Sequence, residues 1–161
     1  MNQGIKWLYL VSLALWVGSI MFFSFVVAPT VFKVLKPEDA AKLQRALFPK
    51  YYFVGIVCAG VGVLCVGWLL FERAFGKSPG LLSLLLLLMM GGTDFWLYQT
   101  VVPHMASLRE QRADRVAKGE PPAEELEREW KGLHRMSVWL NVAVLLSGWA
   151  LLFLVVFSRV A

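Results

Sequence analysis

Four long stretches of this sequence contain almost no charged side chain, and this feature constrains the fold more than any other. They cover residues 7–32, 51–71, 80–103 and 136–158, and together they contain one acid, Asp94. An α-helix needs about 20 residues to cross a hydrocarbon core about 30 Å thick. Because a backbone in lipid must satisfy its own hydrogen bonds, helices are expected and isolated strands are not. The sequence therefore predicts an all-α integral membrane bundle of four transmembrane helices, with spans at about 5–32, 51–71, 80–102 and 136–158.

Composition agrees with this fold class. Of the 161 residues, 58 % are hydrophobic and only 17 % are charged, so the whole chain, 1–161, is predicted to form one membrane domain in contact with the lipid bilayer. The first apolar stretch is longer than the core of a cleaved signal peptide. The net charge of +5 is interpreted as a topology signal and not as a sign of nucleic-acid binding.

The basic residues are unevenly divided between the two ends of the predicted bundle. Twelve of the sixteen lysines and arginines lie in the segments 33–50 and 104–135. Since positively charged loops remain cytoplasmic, these two segments are predicted to be cytoplasmic and both termini to lie outside. The expected location is a bacterial inner membrane.

The two charged segments have different predicted structures. Pro37 followed by two acids is typical of a helix start, and a short amphipathic interfacial helix is expected to end at Phe48-Pro49. Tyr51 and Tyr52 are then assigned to the aromatic belt of the membrane surface. Residues 104–135 contain i,i+4 ion pairs and a Gly-Glu-Pro-Pro break. They are predicted to form a helical hairpin that extends spans three and four, with a protein-docking surface as an alternative role.

Small and bulky residues within the spans are interpreted mainly as packing residues. Gly55, Ala59 and Gly62 share one face of the second span, a spacing that allows close helix packing within the bundle or in a homo-oligomer. Cys58 and Cys65 lie about 10 Å apart along one helix, too far for a disulfide bond between them. Three tryptophans that lie within the spans and not at their ends are assigned to packing; they are Trp16, Trp96 and Trp149.

Asp94 is the most informative single residue because a carboxylate in the membrane costs about 2.5–3.5 kcal/mol even on the mildest insertion scale. No lysine or arginine lies within the four apolar stretches to neutralise it. Tyr98 follows one helical turn later, and Ser137 and Asn141 lie at a similar depth on the fourth span. These four residues are predicted to line a polar pocket. The alternative is that they only connect the helices by hydrogen bonds.

A second candidate site lies where the third and fourth spans leave the membrane. Each of the two histidines has a methionine close by in the sequence, so that His104 and Met105 are matched by His134 and Met136. Imidazole and thioether groups are suitable ligands for Cu(I) and other soft metals. The alternative is that these are ordinary interfacial residues. The sequence contains no Walker loop, nucleophile elbow, H-E-x-x-H or C-x-x-C motif, and an enzyme is therefore not favoured.

Several of these motifs together resemble the transmembrane protein 205 family. They are Gly18, the run at 25–32, Leu47-Phe48-Pro49 with Tyr51, and His134 followed by Ser137 and Asn141. Bacterial members of that family are mostly described as a domain of unknown function. The resemblance implies a four-helix membrane bundle with Asn expected in relatives at position 94. It also implies a distant likeness to copper-resistance D proteins and to a haem-binding membrane protoporphyrinogen oxidase, which makes copper and haem the candidate cofactors.

Three functions are compatible with the sequence. The first is a non-enzymatic membrane protein that binds or transports a small cation or soft metal through the polar pocket, with Asp94 carrying the charge. The second is a haem- or porphyrin-handling redox protein with His104 or His134 as the axial ligand. The third is an assembly factor that binds a cytoplasmic partner through the hairpin at 104–135.

Overall fold

Four long helical rods make up the protein in a computed structural model that describes residues 2–121 and 123–157. The first rod contains α1 (Asn2–Phe22), a π-helical segment (Phe23–Val27) and α2 (Ala28–Val34). The second is α3 (Pro37–Phe71). The third contains α4 (Lys77–Trp96), a π-helical segment (Leu97–Val101) and α5 (Val102–Ala117), and the fourth is α6 (Glu124–Phe157). The described residues contain no strand, and the all-α prediction is confirmed.

Each of the four rods is long and apolar enough to cross a membrane. Large apolar side chains cover the outside of the bundle, among them Leu64, which is 75 % exposed, and Val156, which is 70 % exposed. Such a surface suits a bilayer, where lipid tails and not water surround the helices. The predicted class of integral membrane protein is confirmed. The predicted end of the fourth span at Ser158 lies outside the described residues.

The rods are arranged in cyclic order around the bundle axis. α1 packs against α3 and α6, and α4 also packs against α3 and α6, so α1 faces α4 across the bundle. The centre contains side chains that are at most 1 % exposed; they are Leu13, Trp16, Leu87, Met90 and Leu151. The helices that lie opposite each other form two diagonal pairs, α1 with α4 and α3 with α6. Side chains of a diagonal pair can reach each other only through the centre of the bundle.

Close contact between α3 and α4 depends on small residues. A Cβ atom on Gly62 would lie 2.9 Å from a methyl carbon of Leu87, and one on Gly91 would lie 2.6 Å from the Cβ of Ala59. The small-residue face predicted on the second span is therefore a packing face inside the bundle. Both cysteines are buried and free, as predicted.

The two π-helical segments each precede a proline by a few residues. Proline lacks an N–H group, and its ring collides with the carbonyl group four residues earlier in a regular α-helix. Those carbonyls belong to Phe25 for Pro29 and to Gln99 for Pro103, and both residues lie in the π-helical segments. The wider π turn removes the collision, so the first and third rods continue through their prolines.

The prediction that Phe48-Pro49 ends a separate interfacial helix is wrong. α3 runs without interruption from Pro37 to Phe71 and contains Pro49 in its interior. Aromatic packing continues across the proline, because the ring centroids of Phe48 and Phe23 are 5.3 Å apart and those of Phe48 and Tyr52 are 6.2 Å apart. Neighbouring helices thus hold the rod together where proline removes one backbone hydrogen bond.

The predicted hairpin is present. α5 and α6 pack against each other beyond the apolar part of the bundle, and Gly119 adopts a φ of 74° in the turn between them. Contacts between charged side chains help to join the helices: Arg112 lies 3.7 Å from Glu127, and His104 lies 2.8 Å from Glu129. The i,i+4 pairs Glu124–Arg128 and Glu127–Lys131 form at 2.9 and 3.4 Å. Pro122, at the predicted restart of the helix, lies outside the described residues.

Candidate functional site

Asp94 lies at the centre of the bundle and is only 3 % exposed. Its Oδ2 atom accepts a hydrogen bond of 3.0 Å from the indole Nε1–H of Trp16, which is 1 % exposed. Among the described residues, no lysine or arginine lies within salt-bridge distance of the Asp94 carboxylate. A neutral donor on α1 therefore holds a carboxylate on α4 across one diagonal of the bundle.

Gly55 on α3 makes room for this hydrogen bond. A Cβ atom at position 55 would collide with the carboxylate of Asp94 and would lie 2.8 Å from Nε1 of Trp16. The helix backbone of α3 thus passes directly beside the donor and the acceptor. Glycine at this position serves the site itself, in addition to the close packing that its spacing predicts.

Asn141 connects the other diagonal. Its Oδ1 atom accepts a hydrogen bond of 2.7 Å from Tyr51 Oη, and its Nδ2 group donates one of 3.1 Å to Tyr52 Oη. The same Nδ2 group also donates to the carbonyl oxygen of Ser137 at 2.8 Å. The amide of one α6 residue is therefore held by two adjacent tyrosines of α3.

The two diagonal connections belong to one polar centre. Tyr51 and Tyr52 lie close enough to Asp94 to interact with it electrostatically, and so does Cys58. Gly55 follows Tyr51 by one helical turn on α3, which places the tyrosines and the gap for Asp94 on neighbouring parts of one face. The resulting site is called the Asp94 site below, and it contains Trp16, Tyr51, Tyr52, Gly55, Asp94 and Asn141.

The structure brings together only part of the predicted pocket. Asp94 is buried and Asn141 is half-buried, and among the described residues no hydrogen bond joins them; the tyrosines of α3 bond to Asn141 instead. Tyr98 packs in an apolar cluster with Tyr52, Leu97 and Val101. Tyr98 lies in the π-helical segment at 97–101, and among the described residues no hydrogen bond joins it to Asp94. The Ser137 hydroxyl donates to the carbonyl of His134 at 2.8 Å, a bond within one helix.

The predicted metal-binding residues have other partners. His104 bonds to Glu129, whereas the ring of His134 stacks on Trp130 with centroids 5.2 Å apart. Met105 and Met136 pack against one apolar cluster at the hairpin end of the bundle. Among the described residues, no group of three or more His, Cys, Asp and Glu side chains is placed to hold a metal ion.

The Asp94 site is closed to the surface depressions of the bundle. One depression, of about 320 Å³, is near the termini and is lined by Lys6, Trp7, Tyr9 and Phe75, among others. Another, of about 500 Å³, lies between α4 and α6 and is lined by Met89, Thr93, Trp96 and Leu140, among others. Asp94 lines neither depression and is only 3 % exposed, so its carboxylate is buried between the helices.

Fold and site together define a four-helix integral membrane protein with a buried, hydrogen-bonded carboxylate at its centre. The chain belongs to the family described as Domain of unknown function (DUF4149), whose model matches residues 11–114. It is also similar to an uncharacterised protein of Aquifex aeolicus (strain VF5), with 32 % identity over 155 residues that cover 94 % of this chain and 96 % of the relative. No solved structure matches the chain.

Four residues of the site were not predicted to take part in it. Trp16 and Gly55 were assigned to packing, and Tyr51 and Tyr52 were assigned to an aromatic belt. One signal for Trp16 was present in the sequence, because a carboxylate without a basic partner must find a neutral donor, and an indole N–H is one of the few within the spans. For the tyrosines, the polar Asn141 on another span offered the corresponding signal.

Proposed function

We propose that this membrane protein binds a small cation at Asp94 and moves it across the bilayer. The observation that carries the proposal is a 3 % exposed carboxylate whose hydrogen-bond donor is an indole and whose surroundings contain hydroxyl and amide groups. Ionisable residues inside membrane bundles are costly to bury and commonly mark ion pathways. A purely structural connection between α1 and α4 could use uncharged partners, which would avoid this cost.

The arrangement supports a cation and not an anion. A carboxylate, two tyrosine hydroxyls and the Asn141 side chain supply oxygen atoms, which suit protons and hard cations. The proton is the cation that the closed site accommodates most easily, because its binding converts the carboxylate into a neutral acid and needs no added volume. Na⁺, K⁺ or Cu⁺ would require the Trp16 indole to move away from Oδ2 of Asp94.

The direction of insertion follows from the charge distribution. The segments 33–50 and 104–135 carry twelve of the sixteen basic residues, which supports a cytoplasmic position for them and an outside position for the termini. The family found by comparison is one of unknown function, and the resemblance to the transmembrane protein 205 family supports a membrane role without specifying the cation. A bacterial inner membrane is the location that we propose.

Substituting Asp94→Asn tests the proposal, because it removes the charge and keeps the shape and the hydrogen-bond acceptor for Trp16. Purified wild type and variant are reconstituted into liposomes, and gradients of H⁺, Na⁺, K⁺ and Cu⁺ are applied in turn. We expect the wild type to dissipate at least one gradient, and the variant to be no faster than empty liposomes. Asp114→Asn, which removes one exposed hairpin carboxylate, is the matched control and should retain wild-type flux.

Infrared difference spectroscopy provides a readout that does not depend on transport. Acidification of the wild type is expected to produce a carbonyl band of a protonated carboxyl group that Asp94→Asn lacks and Asp114→Asn keeps. Wild-type flux in a folded Asp94→Asn protein would contradict the proposal. So would a wild type that leaves all four gradients intact and whose Asp94 does not take up a proton.

A further inference from the structure

Arg109 lies on an aromatic platform at the root of the hairpin. Its Cζ atom is 5.4 Å from the centroid of the Trp130 ring, and that ring is stacked on His134 at an interplanar angle of 4°. Cation–π contact over tryptophan fixes the guanidinium plane while its N–H donors remain available. Arg109 is partly exposed, so an external group can reach these donors.

A second arginine, which is exposed, lies near Arg109. Arg45 of α3 lies close enough to Arg109 of α5 for their charges to repel, and Arg109 also lies close to His134. Among the described residues, no carboxylate lies within 4.0 Å of Arg45 or Arg109, in contrast to Arg112 and Arg128 of the same hairpin, which pair with glutamates. Like charges held together without a counter-ion are unfavourable, and a bound anion would reverse this.

The residue before Arg45 in α3 has unsatisfied polar atoms. Gln44, the residue before Arg45, is 2 % exposed, and neither polar atom of its amide has a hydrogen-bond partner within the described part of the chain. Buried amides are normally paired, so an unpaired one is a feature that needs an explanation. Gln44 is therefore a second feature of this part of α3, independent of the charges, that lacks a partner among the described residues.

We infer that Arg45 and Arg109 bind the phosphate group of an anionic membrane lipid. The guanidinium fork matches two phosphate oxygens, and basic sites between transmembrane helices recognise acidic headgroups. Both arginines lie just beyond the apolar spans, at the level where headgroups are expected. Exposed apolar side chains near the same end of the bundle offer a surface for acyl chains; they are Val34, which is 72 % exposed, and Leu43, which is 39 % exposed. This inference does not rest on the Asp94 site.

Binding of lipid and of free phosphate can be separated with the full-length protein. Native mass spectrometry in detergent compares the uptake of phosphatidylglycerol with that of phosphatidylcholine, and calorimetry measures binding of inorganic phosphate. We expect retention of phosphatidylglycerol by the wild type to fall roughly fivefold for Arg45→Gln or Arg109→Gln and roughly 30-fold for the double variant. Arg112→Gln/Arg128→Gln removes two paired arginines and is the matched control, expected to retain wild-type binding.

Equal uptake of phosphatidylglycerol by the Arg45/Arg109 double variant and the wild type overturns the inference. An equal loss in the control pair also overturns it, because the attraction would then come from overall charge. If the protein binds inorganic phosphate tightly and does not prefer phosphatidylglycerol to phosphatidylcholine, the inference that the bound phosphate belongs to a lipid is overturned. If the double variant does not fold, Arg109→Lys keeps the charge and loses the fork, so its unchanged uptake would overturn the bidentate contact.

Discussion

Substituting Gly55→Ala is expected to destabilise the protein by about 2–4 kcal/mol, far more than one added methyl group usually does. The new Cβ would collide with the Asp94 carboxylate and would lie 2.8 Å from Nε1 of Trp16. The Asp94 side chain can rotate away, but a buried carboxylate and a buried indole N–H would then lose their partner. This rotation would therefore leave polar groups at the centre of the bundle without hydrogen-bond partners. The free energy of unfolding in mixed micelles measures the effect.

The same helix offers a matched control for this substitution. A Cβ atom on Gly60 would meet nothing within 4 Å, so Gly60→Ala adds the same methyl group on the outside of α3. We expect Gly60→Ala to be neutral or slightly stabilising, because alanine favours a helix more than glycine does. Equal stability of the two variants would show that Gly55 does not lie directly beside the Trp16–Asp94 hydrogen bond.

Substituting Asn141→Leu is expected to destabilise the protein by about 1–3 kcal/mol. The change keeps a side chain of similar size but removes the acceptor of Tyr51 at 2.7 Å and the donor to Tyr52 at 3.1 Å. Hydrogen bonds between membrane helices average about 0.6 kcal/mol and reach about 1.7 kcal/mol in one measured system. The loss of two such bonds, with two tyrosine hydroxyls left without this partner, sets the expected range.

A double-mutant cycle tests the assignment of that energy. Tyr51→Phe, Asn141→Leu and the combined variant are compared, and the combined variant is expected to be destabilised by less than the sum of the two single variants, because both single changes break the same bond. Ser137→Ala is the control on the same helix, since its hydroxyl bonds only to the His134 carbonyl. Its effect should stay within about 0.5 kcal/mol. Additive single effects would contradict a direct Tyr51–Asn141 bond.

The polar residues of the site could be predicted from the sequence in part: Asp94 and Asn141 were recognised, but their hydrogen-bond partners were not. Asp94 stood out because a charge among apolar residues is costly wherever the helix packs. Asn141 stood out because a polar amide among apolar residues is also unfavourable in a membrane, although less so than a charge. Which neutral donors meet these two residues depends on helix rotation, and small differences in rotation exchange one partner for another. The two π-helical segments alter that rotation by an amount that helical periodicity alone does not reveal.

The number of spans and the all-helical class were determined by the sequence itself, because a bilayer forces a lipid-exposed backbone to form helices over each long apolar stretch. The charged hairpin and the small-residue face on α3 followed from local spacing in the same way. Only the tertiary structure decided that α1 faces α4 and α3 faces α6, and so that Trp16 meets Asp94 and the tyrosines meet Asn141. It also decided that α3 continues through Pro49. Phe48 packs there against Phe23, which is distant in sequence, and against Tyr52 on the next turn of α3. The physical reason is that hydropathy acts on each helix alone, whereas the choice of partner depends on how all four helices are packed together.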